Sequence, residues 1–104
     1  MAVNVTTDKT FVDDTAEGVA LIDFWATWCG PCKMQSPVVE ALSDEMNGKV
    51  NFFKLDVDEN PDTAKEFQIM SIPTLMIKKD GKVIDKVIGY HSKEQLQKIL
   101  EQYL

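Results

Sequence analysis

Arginine is absent from this sequence of 104 residues, and histidine occurs only once. All 11 basic residues are lysines, and 17 acidic residues leave a formal net charge of −6. A surface that binds nucleic acid normally presents a basic patch, with arginine side chains that grip phosphate in two places. The composition therefore predicts no nucleic acid partner, and its acidity names no other partner.

A long apolar run is also missing. No stretch approaches the roughly 18 residues that a membrane-spanning helix needs. Residues 1–8 lack the basic region and apolar segment of a secretory signal. We therefore expect no membrane partner and a cytoplasmic location, where thiols stay reduced and disulfides are usually catalytic. The length and a composition of 44% hydrophobic and 27% charged residues predict one domain over residues 1–104. We expect this domain to be a monomer.

Cysteine is scarce, and the only two, Cys29 and Cys32, are separated by Gly30 and Pro31. In the chain-entropy model, a disulfide that closes about four residues stabilises a fold by roughly 2 kcal/mol, against roughly 4 kcal/mol for about fifty residues. The pair is therefore a poor cross-link and suits a reversible dithiol–disulfide switch. Structural zinc is the alternative, but it needs four ligands and His91 is the one extra candidate. We expect no metal, and we place His91 on the surface after the last strand.

The hydrophobic pattern predicts strands that alternate with helices. Val19 to Ala26 and Val50 to Val57 are nearly continuous apolar runs, which are typical of strands buried on both faces. Asp80-Gly81 is a strong hairpin signal, and Ser92 with Gln95 forms a capping box for a last helix. The other predicted elements are an edge strand at 3–5, helices at about 8–15 (capped by Thr7 or Asp8), 31–46 and 61–67, and hairpin strands at 74–78 and 82–88. This order predicts an α/β fold in which helices cover both faces of a mixed sheet.

The two cysteines lie where the long helix is predicted to begin. Pro31 fits the first helical turn, where its missing N–H costs nothing. Cys29 then faces unpaired N–H groups and the positive end of the helix dipole, which both favour the thiolate. Cys32, one turn further on, is expected to be more buried and less reactive. Because a lower pKa also weakens a nucleophile, we expect the larger advantage to come from the placement of Cys32, which makes the second step intramolecular.

Two charged residues interrupt the apolar strands. Asp23 follows Leu21 and Ile22, and a buried carboxylate at this position would have a raised pKa that suits a proton carrier near neutral pH. The alternative is a solvated strand face with an ordinary surface aspartate. Lys54 interrupts the other strand, where it either pairs with Asp23 across neighbouring strands or is simply solvated.

Tryptophan and proline residues mark the surroundings of the cysteine pair. Trp28 stands next to Cys29 and is expected to cover the site, whereas Trp25 suits the core. Pro73 precedes a strand, where the X–Pro bond is either cis or, more commonly, trans. Pro37 falls inside the long helix, where it removes one hydrogen bond and should kink the axis.

Together these residues closely resemble the thioredoxin family over essentially the whole chain. The resemblance rests on the string Asp-Phe-Trp-Ala-Thr-Trp-Cys-Gly-Pro-Cys-Lys at 23–33, on Pro37, on Lys54 to Asp58 before Asn60-Pro61, on Ile72-Pro73-Thr74, and on Asp80-Gly81 and Gly89. It implies the thioredoxin fold, with a central five-stranded mixed sheet flanked by four helices. The activity it implies is the reduction of protein disulfides.

The resemblance also implies roles for individual residues. Cys29 would be the attacking thiol and Cys32 the resolving thiol, with Asp23 as the buried proton carrier, Lys54 as its neighbour and Pro73 as a cis-proline opposite the cysteines. The residues that complete the substrate-binding surface would be Trp28, Gly30, Pro31, Ile72, Thr74 and Gly89. No cofactor would be bound, because NADPH and FAD act only through thioredoxin reductase, which resets the pair. The remaining partners would be proteins that contain disulfides.

The sequence departs from familiar family members at the rim of that surface. Met70-Ser71 precede Ile72, where basic or glycine residues often occur, and Tyr90-His91 follow Gly89. These differences bear on partner preference rather than on the reaction. Two rival functions stay open, namely a disulfide oxidant or isomerase on the same fold, and a binding subunit in which the thiols are incidental. Gly30-Pro31 and the missing signal sequence favour the reductant.

Overall fold

The computed structural model describes residues 2–104, which form five strands and four helices. In chain order these are β1 (Val3–Val5), α1 (Phe11–Asp14), β2 (Val19–Trp25), α2 (Gly30–Glu45), β3 (Asn51–Asp56), α3 (Pro61–Glu66), β4 (Thr74–Lys79), β5 (Lys82–Ile88) and α4 (Lys93–Glu101). The predicted order of elements is confirmed, and apart from α1 the boundaries agree to within about a residue.

The strands form one mixed sheet in the order β1-β3-β2-β4-β5. β1 and β2 both run parallel to β3, whereas β4 runs antiparallel to β2 and to β5. β2 is therefore the central strand, with β3 and β4 on its two sides, which explains why its sequence is apolar on both faces. The chain that leaves the end of β2 leads directly to the two cysteines.

Separate apolar clusters lie on the two faces of the sheet, so the prediction of helices on both faces is confirmed. On one face, α2 and α4 contribute Val39, Leu42, Leu96 and Leu100, which pack on strand residues that include Leu21 and Leu75. On the other face, Phe11 of α1 and Ala64 of α3 pack against Ile22, Phe24 and Met76. Because side chains alternate along a strand, Asp23 lies on the same face of β2 as Leu21, toward α2.

The first helix is shorter than predicted. Of its two predicted caps, Thr7 accepts the Thr10 N–H at 3.3 Å in the turn before the helix, whereas the prediction for Asp8 is wrong. α1 begins at Phe11, and Thr10 precedes it without a capping side-chain hydrogen bond. The Asp8 carboxylate instead accepts the backbone N–H groups of Asp62 and Thr63 at 3.1 and 2.8 Å. Asp8 therefore caps α3, which is more than fifty residues away in the sequence and which only the folded chain brings near.

Other local signals act as the sequence predicts. Asp80 and Gly81 have φ angles of 49° and 85°, which is the left-handed conformation that a tight hairpin turn requires. Ser92 and Gln95 form the reciprocal hydrogen bonds of a capping box before α4. Pro37 lies inside α2, and the kink expected there stays a prediction.

Candidate active site

Helix α2 positions both cysteines at its first turn. Cys29 is the N-cap residue with extended backbone angles, and Pro31 occupies the first turn as predicted. Cys29 and Cys32 are joined by a disulfide, with their Cα atoms 5.3 Å apart. The backbone N–H of Cys32 donates to Cys29 Sγ at 3.2 Å. The Cys29 sulfur thus receives one of the helix N–H groups that would stabilise negative charge on it.

The two sulfur-bearing side chains are almost equally buried, so the predicted difference in burial is wrong. Cys29 is 4% exposed and Cys32 is 3% exposed. The linked pair lies at the start of α2, and Ala26, Trp25, Val57 and Ile72 pack around it. Burial therefore does not distinguish the two sulfurs, whereas the N–H that Cys29 Sγ accepts from Cys32 does.

Trp25 is the tryptophan that packs with the cysteine pair, while Trp28 is 68% exposed. The Trp28 indole Nε1–H donates to the Asp58 carboxylate at 2.8 Å, which ties the start of α2 to the segment after β3. Trp28 lies next to Cys29 as an exposed aromatic surface. Gly30 and Pro31 are also exposed beside the pair, so these three residues are accessible to a partner.

Asp23 is a buried carboxylate with unusual electrostatics. Its side chain is 4% exposed, and Oδ1 has no hydrogen-bond partner. Burial raises the pKa of Asp23 from its usual 3.8 to about 7, and the positive charge of Lys54 partly opposes this rise. The alternative of an ordinary surface aspartate is therefore wrong, and the carboxyl group can exchange a proton near neutral pH.

Lys54 lies beside Asp23 across the β2–β3 pair, where the Cα atoms of the two residues are direct partners. Lys54 is half-buried. Among the described residues, the ion pairs within 4 Å do not include Asp23 with Lys54. The lysine thus acts on the carboxylate through its electric field at longer range, which fits its opposing effect on the pKa of Asp23.

A cleft of about 460 Å³ extends from this carboxylate to Cys32. Its lining includes Asp23, Lys54, Cys32 and Trp25, with further residues from the turn before α2 and from α2 itself, namely Ala26, Thr27, Lys33, Ser36 and Pro37. Sequence reasoning missed Lys33 and Ser36. Helical spacing could have found Ser36, which lies four residues after Cys32, but not Lys33, which is adjacent to Cys32 in the sequence.

The Ile72–Pro73 segment lies opposite the cysteines, and its peptide bond is cis. The carbonyl oxygen of Ile72 is 3.7 Å from Cys29 Sγ, and the carbonyl oxygen of Pro73 accepts the N–H of Gly89 at 2.8 Å. Thr74 is buried, and its hydroxyl donates to the carbonyl of Ser71. The structure therefore brings Ile72, Pro73, Thr74 and Gly89 together beside the pair.

The departures from the family pattern surround the same surface. Met70 and Tyr90 are 91% and 45% exposed, and Ile88, which sequence reasoning missed, is 67% exposed. His91 follows the last strand as predicted and is half-buried. Its ring Nδ1–H donates to the carbonyl of Gly89 at 2.9 Å. Exposed apolar side chains near Pro73 are a feature that partner proteins could contact.

Within residues 2–104, no group of three or more histidine, cysteine, aspartate or glutamate side chains is arranged to hold a metal ion. In the same part of the chain, no helix has the length and apolar character needed to cross a membrane.

Comparison with known proteins identifies the family. The thioredoxin family model matches residues 2–102. The chain is 55% identical to a thioredoxin of Staphylococcus saprophyticus and 52% identical to one of Staphylococcus aureus, each over 104 residues and the full length of both proteins. It is 52% identical to a thioredoxin of Listeria monocytogenes over 98 residues, or 94% of this chain and 95% of the relative.

The five-stranded mixed sheet, the four helices and the cysteine pair at the start of α2 define a thiol–disulfide oxidoreductase. The chain belongs to the thioredoxin family. The predictions of the family and of the thioredoxin fold are therefore confirmed.

Proposed function

We propose that this protein reduces disulfides in other proteins by exchanging them with its own Cys29–Cys32 pair. The observation that carries the proposal is the placement of the disulfide at the first turn of α2, where Cys29 Sγ accepts the N–H of Cys32 and lies 3.7 Å from the Ile72 carbonyl oxygen. A helix start favours a thiolate, and the neighbouring carbonyl marks where a substrate backbone can lie.

The reaction begins from the reduced dithiol form. The Cys29 thiolate attacks one sulfur of the substrate disulfide, so a mixed disulfide forms and the second substrate sulfur leaves as a thiolate. Cys32 then attacks Cys29 Sγ, which forms the Cys29–Cys32 disulfide and releases the other substrate thiolate. Two electrons pass from the dithiol to the substrate, and the released thiolates take up protons. The second step is fast because Cys32 is held next to the mixed disulfide.

Asp23 is the proton carrier of this second step. Cys32 must lose a proton before it attacks, and Asp23 lines the same cleft with a pKa near 7. Lys54 lines the cleft as well and limits the rise of that pKa.

Asp23→Asn should slow release of the reduced substrate from the mixed disulfide. Rapid-quench kinetics between about pH 6 and 9 measure the rate of this release. Release kinetics identical to those of the unaltered protein across this range would refute the role.

The substrate-binding surface comprises the residues around the pair. Ile72 offers its backbone carbonyl to an extended substrate segment, and Pro73 and Thr74 hold that segment opposite Cys29. Trp28, Gly30, Pro31 and Gly89 form the remaining edges of the surface. This arrangement suits binding of a short stretch of polypeptide on both sides of a disulfide.

The oxidised pair is reset by thioredoxin reductase, which carries FAD and takes electrons from NADPH, so this chain itself binds no cofactor. Its other partners are proteins with accessible disulfides. We further propose that residues 1–104 act as one domain, as a monomer in the cytoplasm, without a membrane or nucleic acid partner. The net charge of −6 supports the last point.

Single-cysteine variants test the proposal. Reduced Cys32→Ser should attack insulin, a small protein with accessible disulfides, and accumulate as a stable mixed disulfide. Cys29→Ser should fold but form no mixed disulfide, because the attacking sulfur is gone. Mass spectrometry of the quenched reaction measures both. Reduction of insulin by Cys29→Ser at the rate of the unaltered protein would exclude Cys29 as the nucleophile. Failure of the unaltered protein to reduce insulin would favour the rival of a binding subunit with incidental thiols.

A further inference from the structure

Gln35 is a polar side chain on the core-facing side of α2 with no exposure to solvent. It lies one turn after Cys32, and the other buried residues of this helix are Cys32, Val39, Leu42 and Ser43. An amide buried without hydrogen-bond partners would destabilise the fold. Buried positions on a helix are usually apolar. The role of Gln35 must therefore be sought in the hydrogen bonds of its side-chain amide.

The Gln35 amide pairs with the backbone of a single residue, His91. Its Nε2–H donates to the His91 carbonyl at 3.0 Å, and its Oε1 accepts the His91 N–H at 2.8 Å. His91 stands between the end of β5 and Ser92, the N-cap of α4. The helix that carries the cysteines is therefore joined to residues 89–91, which we name the rim loop.

The rim loop is bonded in turn to the cis-proline segment. The Gly89 N–H donates to the Pro73 carbonyl at 2.8 Å, and the His91 ring donates to the Gly89 carbonyl at 2.9 Å. The residue before Pro73 is Ile72, whose carbonyl oxygen lies 3.7 Å from Cys29 Sγ. These contacts form a closed path that leaves Cys29 along α2 and returns to it through the rim loop and the proline segment.

We propose that Gln35 is a positioning residue that fixes the distance between the two walls of the substrate groove. The start of α2 forms one wall, and the rim loop with Pro73 forms the other. This inference rests on the proposed function, because the groove is where a protein disulfide would lie. Gln35 acts through His91 and Gly89, while the chemistry stays with Cys29 and Cys32.

The size of the substrate decides how much this positioning matters. A protein disulfide brings polypeptide into the groove on both sides of its sulfurs, so both walls must be correctly placed. A small organic disulfide reaches Cys29 without filling the groove. Loss of the Gln35 amide leaves the His91 N–H and carbonyl without their buried partners, so the rim loop shifts away from α2. A shift of the order of 1 Å misplaces a wall that the polypeptide must contact, so the groove binds a protein disulfide less tightly.

The test compares two disulfides in single-turnover reactions of the prereduced protein. Gln35→Met keeps the length of the side chain and removes both hydrogen bonds. We expect the half-saturating concentration of insulin to rise about tenfold, while the limiting rate, the rate with bis(2-hydroxyethyl) disulfide and the reduction potential of the pair stay unchanged. The proposal would be overturned if Gln35→Met impaired the reduction of both disulfides equally, or if it left the half-saturating concentration of insulin unchanged.

Ser43→Ala is the matched control for a purely structural effect. Ser43 is also fully buried on α2, two turns further from the cysteines, and its hydroxyl donates to the Glu40 carbonyl at 2.6 Å. This variant should lose stability but keep the kinetics with both substrates. If Ser43→Ala raised the half-saturating concentration of insulin as Gln35→Met does, instability alone would explain the effect and the proposal would fail.

Gln35→Glu provides a second variant that does not depend on the first one folding. An ionised carboxylate accepts the His91 N–H but cannot donate to its carbonyl, whereas the protonated form does both. We expect the ratio of insulin to small-disulfide reduction to recover toward that of the unaltered protein as the pH falls from about 8 to about 5.5. A ratio that does not respond to pH would contradict the proposal. Failure of the unaltered protein to reduce either disulfide would instead overturn the proposed function.

Discussion

Asp23 shows at the scale of one residue how burial creates a functional group. The carboxylate lies on the central strand, on the face that α2 covers, and its Oδ1 has no hydrogen-bond partner. An ionised group in such a place destabilises the fold, whereas the protonated group does not. The same burial that makes the carboxylate costly also moves its pKa to about 7, where proton exchange is useful.

This cost gives a pH-dependent prediction for stability. The pKa of Asp23 is higher in the folded protein than in the unfolded chain, so the folded state binds more protons between about pH 4 and 7 and loses stability as the pH rises through that window. The difference between the two pKa values corresponds to a loss of about 4 kcal/mol in the free energy of unfolding above pH 7. Asp23→Asn should therefore raise the free energy of unfolding by up to about this amount at pH 8 and by much less at pH 4.5.

Urea unfolding of the oxidised protein at the two pH values measures this effect. The Cys29–Cys32 disulfide stays closed in all samples, so the redox state does not differ between them. Equal stabilisation by Asp23→Asn at pH 4.5 and pH 8 would mean that the carboxylate is not penalised by burial.

Lys54 provides the second prediction at this scale. Its positive charge favours the ionised form of Asp23 and so holds the pKa of that carboxyl below the value that burial alone would give. Lys54→Met should raise the pKa of Asp23 above about 7. Lys33→Met is the control, since Lys33 lines the same cleft but is not among the causes of the shift. Carboxyl-carbon NMR titration measures both, and an unchanged Asp23 pKa in Lys54→Met would contradict the account.

Helix α3 shows at the scale of one element how a distant residue completes a local structure. Its N-terminal N–H groups bond to the carboxylate of Asp8, which the sequence places before α1. Desolvation works against the ionised Asp8, but the hydrogen bonds from Thr63 and Asp62 prevail and hold its pKa below its usual value. The contribution of this cap is therefore present above about pH 4 and is lost as the pH falls through the folded pKa.

Removal of the cap should destabilise the protein. Asp8→Ala is expected to lower the free energy of unfolding by about 1 kcal/mol at pH 7, and the loss should disappear as the pH falls below the lowered pKa of Asp8. Asp13→Ala is the control. Asp13 is an exposed acidic residue near the N-terminus of another helix, in the first turn of α1. Thermal or urea unfolding measures the difference. A loss in Asp13→Ala as large as in Asp8→Ala would indicate a general charge effect rather than a cap.

At the scale of the elements, local signals predict well and long-range partners do not. The capping box at Ser92, the turn at Asp80-Gly81 and the apolar strands depend on neighbouring residues, and each is found where the sequence predicts it. Asp8 has a capping residue type, but its true partner is set by the packing of the start of the chain against α3. A sequence pattern does not show that Asp8 lies close to the start of α3 in the folded chain.

At the scale of the whole molecule, the sheet gathers residues that lie far apart in the chain. The order of the strands places Asp23 beside Lys54 and brings Pro73 and Gly89 to the cysteine pair. The resemblance to the thioredoxin family indicated this set of residues from the sequence. The structure adds distances, the cleft, and the near-equal burial of the two cysteines, none of which a one-dimensional pattern contains.

Two buried polar side chains show what the sequence could not reveal. Gln35 looks like an interruption of the apolar face of a helix until the backbone of His91 is found opposite it. Lys78 looks like the solvated end of a strand, but it is 4% exposed, donates to the Thr15 hydroxyl at 2.6 Å and lies 4.6 Å from the centre of the Phe11 ring. In both cases the partner belongs to another element, so only the assembled fold explains the residue.

The central claim is that the Cys29–Cys32 pair acts as a reductant, and its reduction potential tests this most directly. The measurement equilibrates the protein with defined ratios of reduced and oxidised dithiothreitol and quantifies the two forms after trapping of free thiols. The account predicts a potential near −270 mV, a reference value for thioredoxins rather than one obtained from this chain. A potential near −120 mV, about five powers of ten more oxidising in equilibrium constant, would contradict the claim and favour a disulfide oxidant on the same fold.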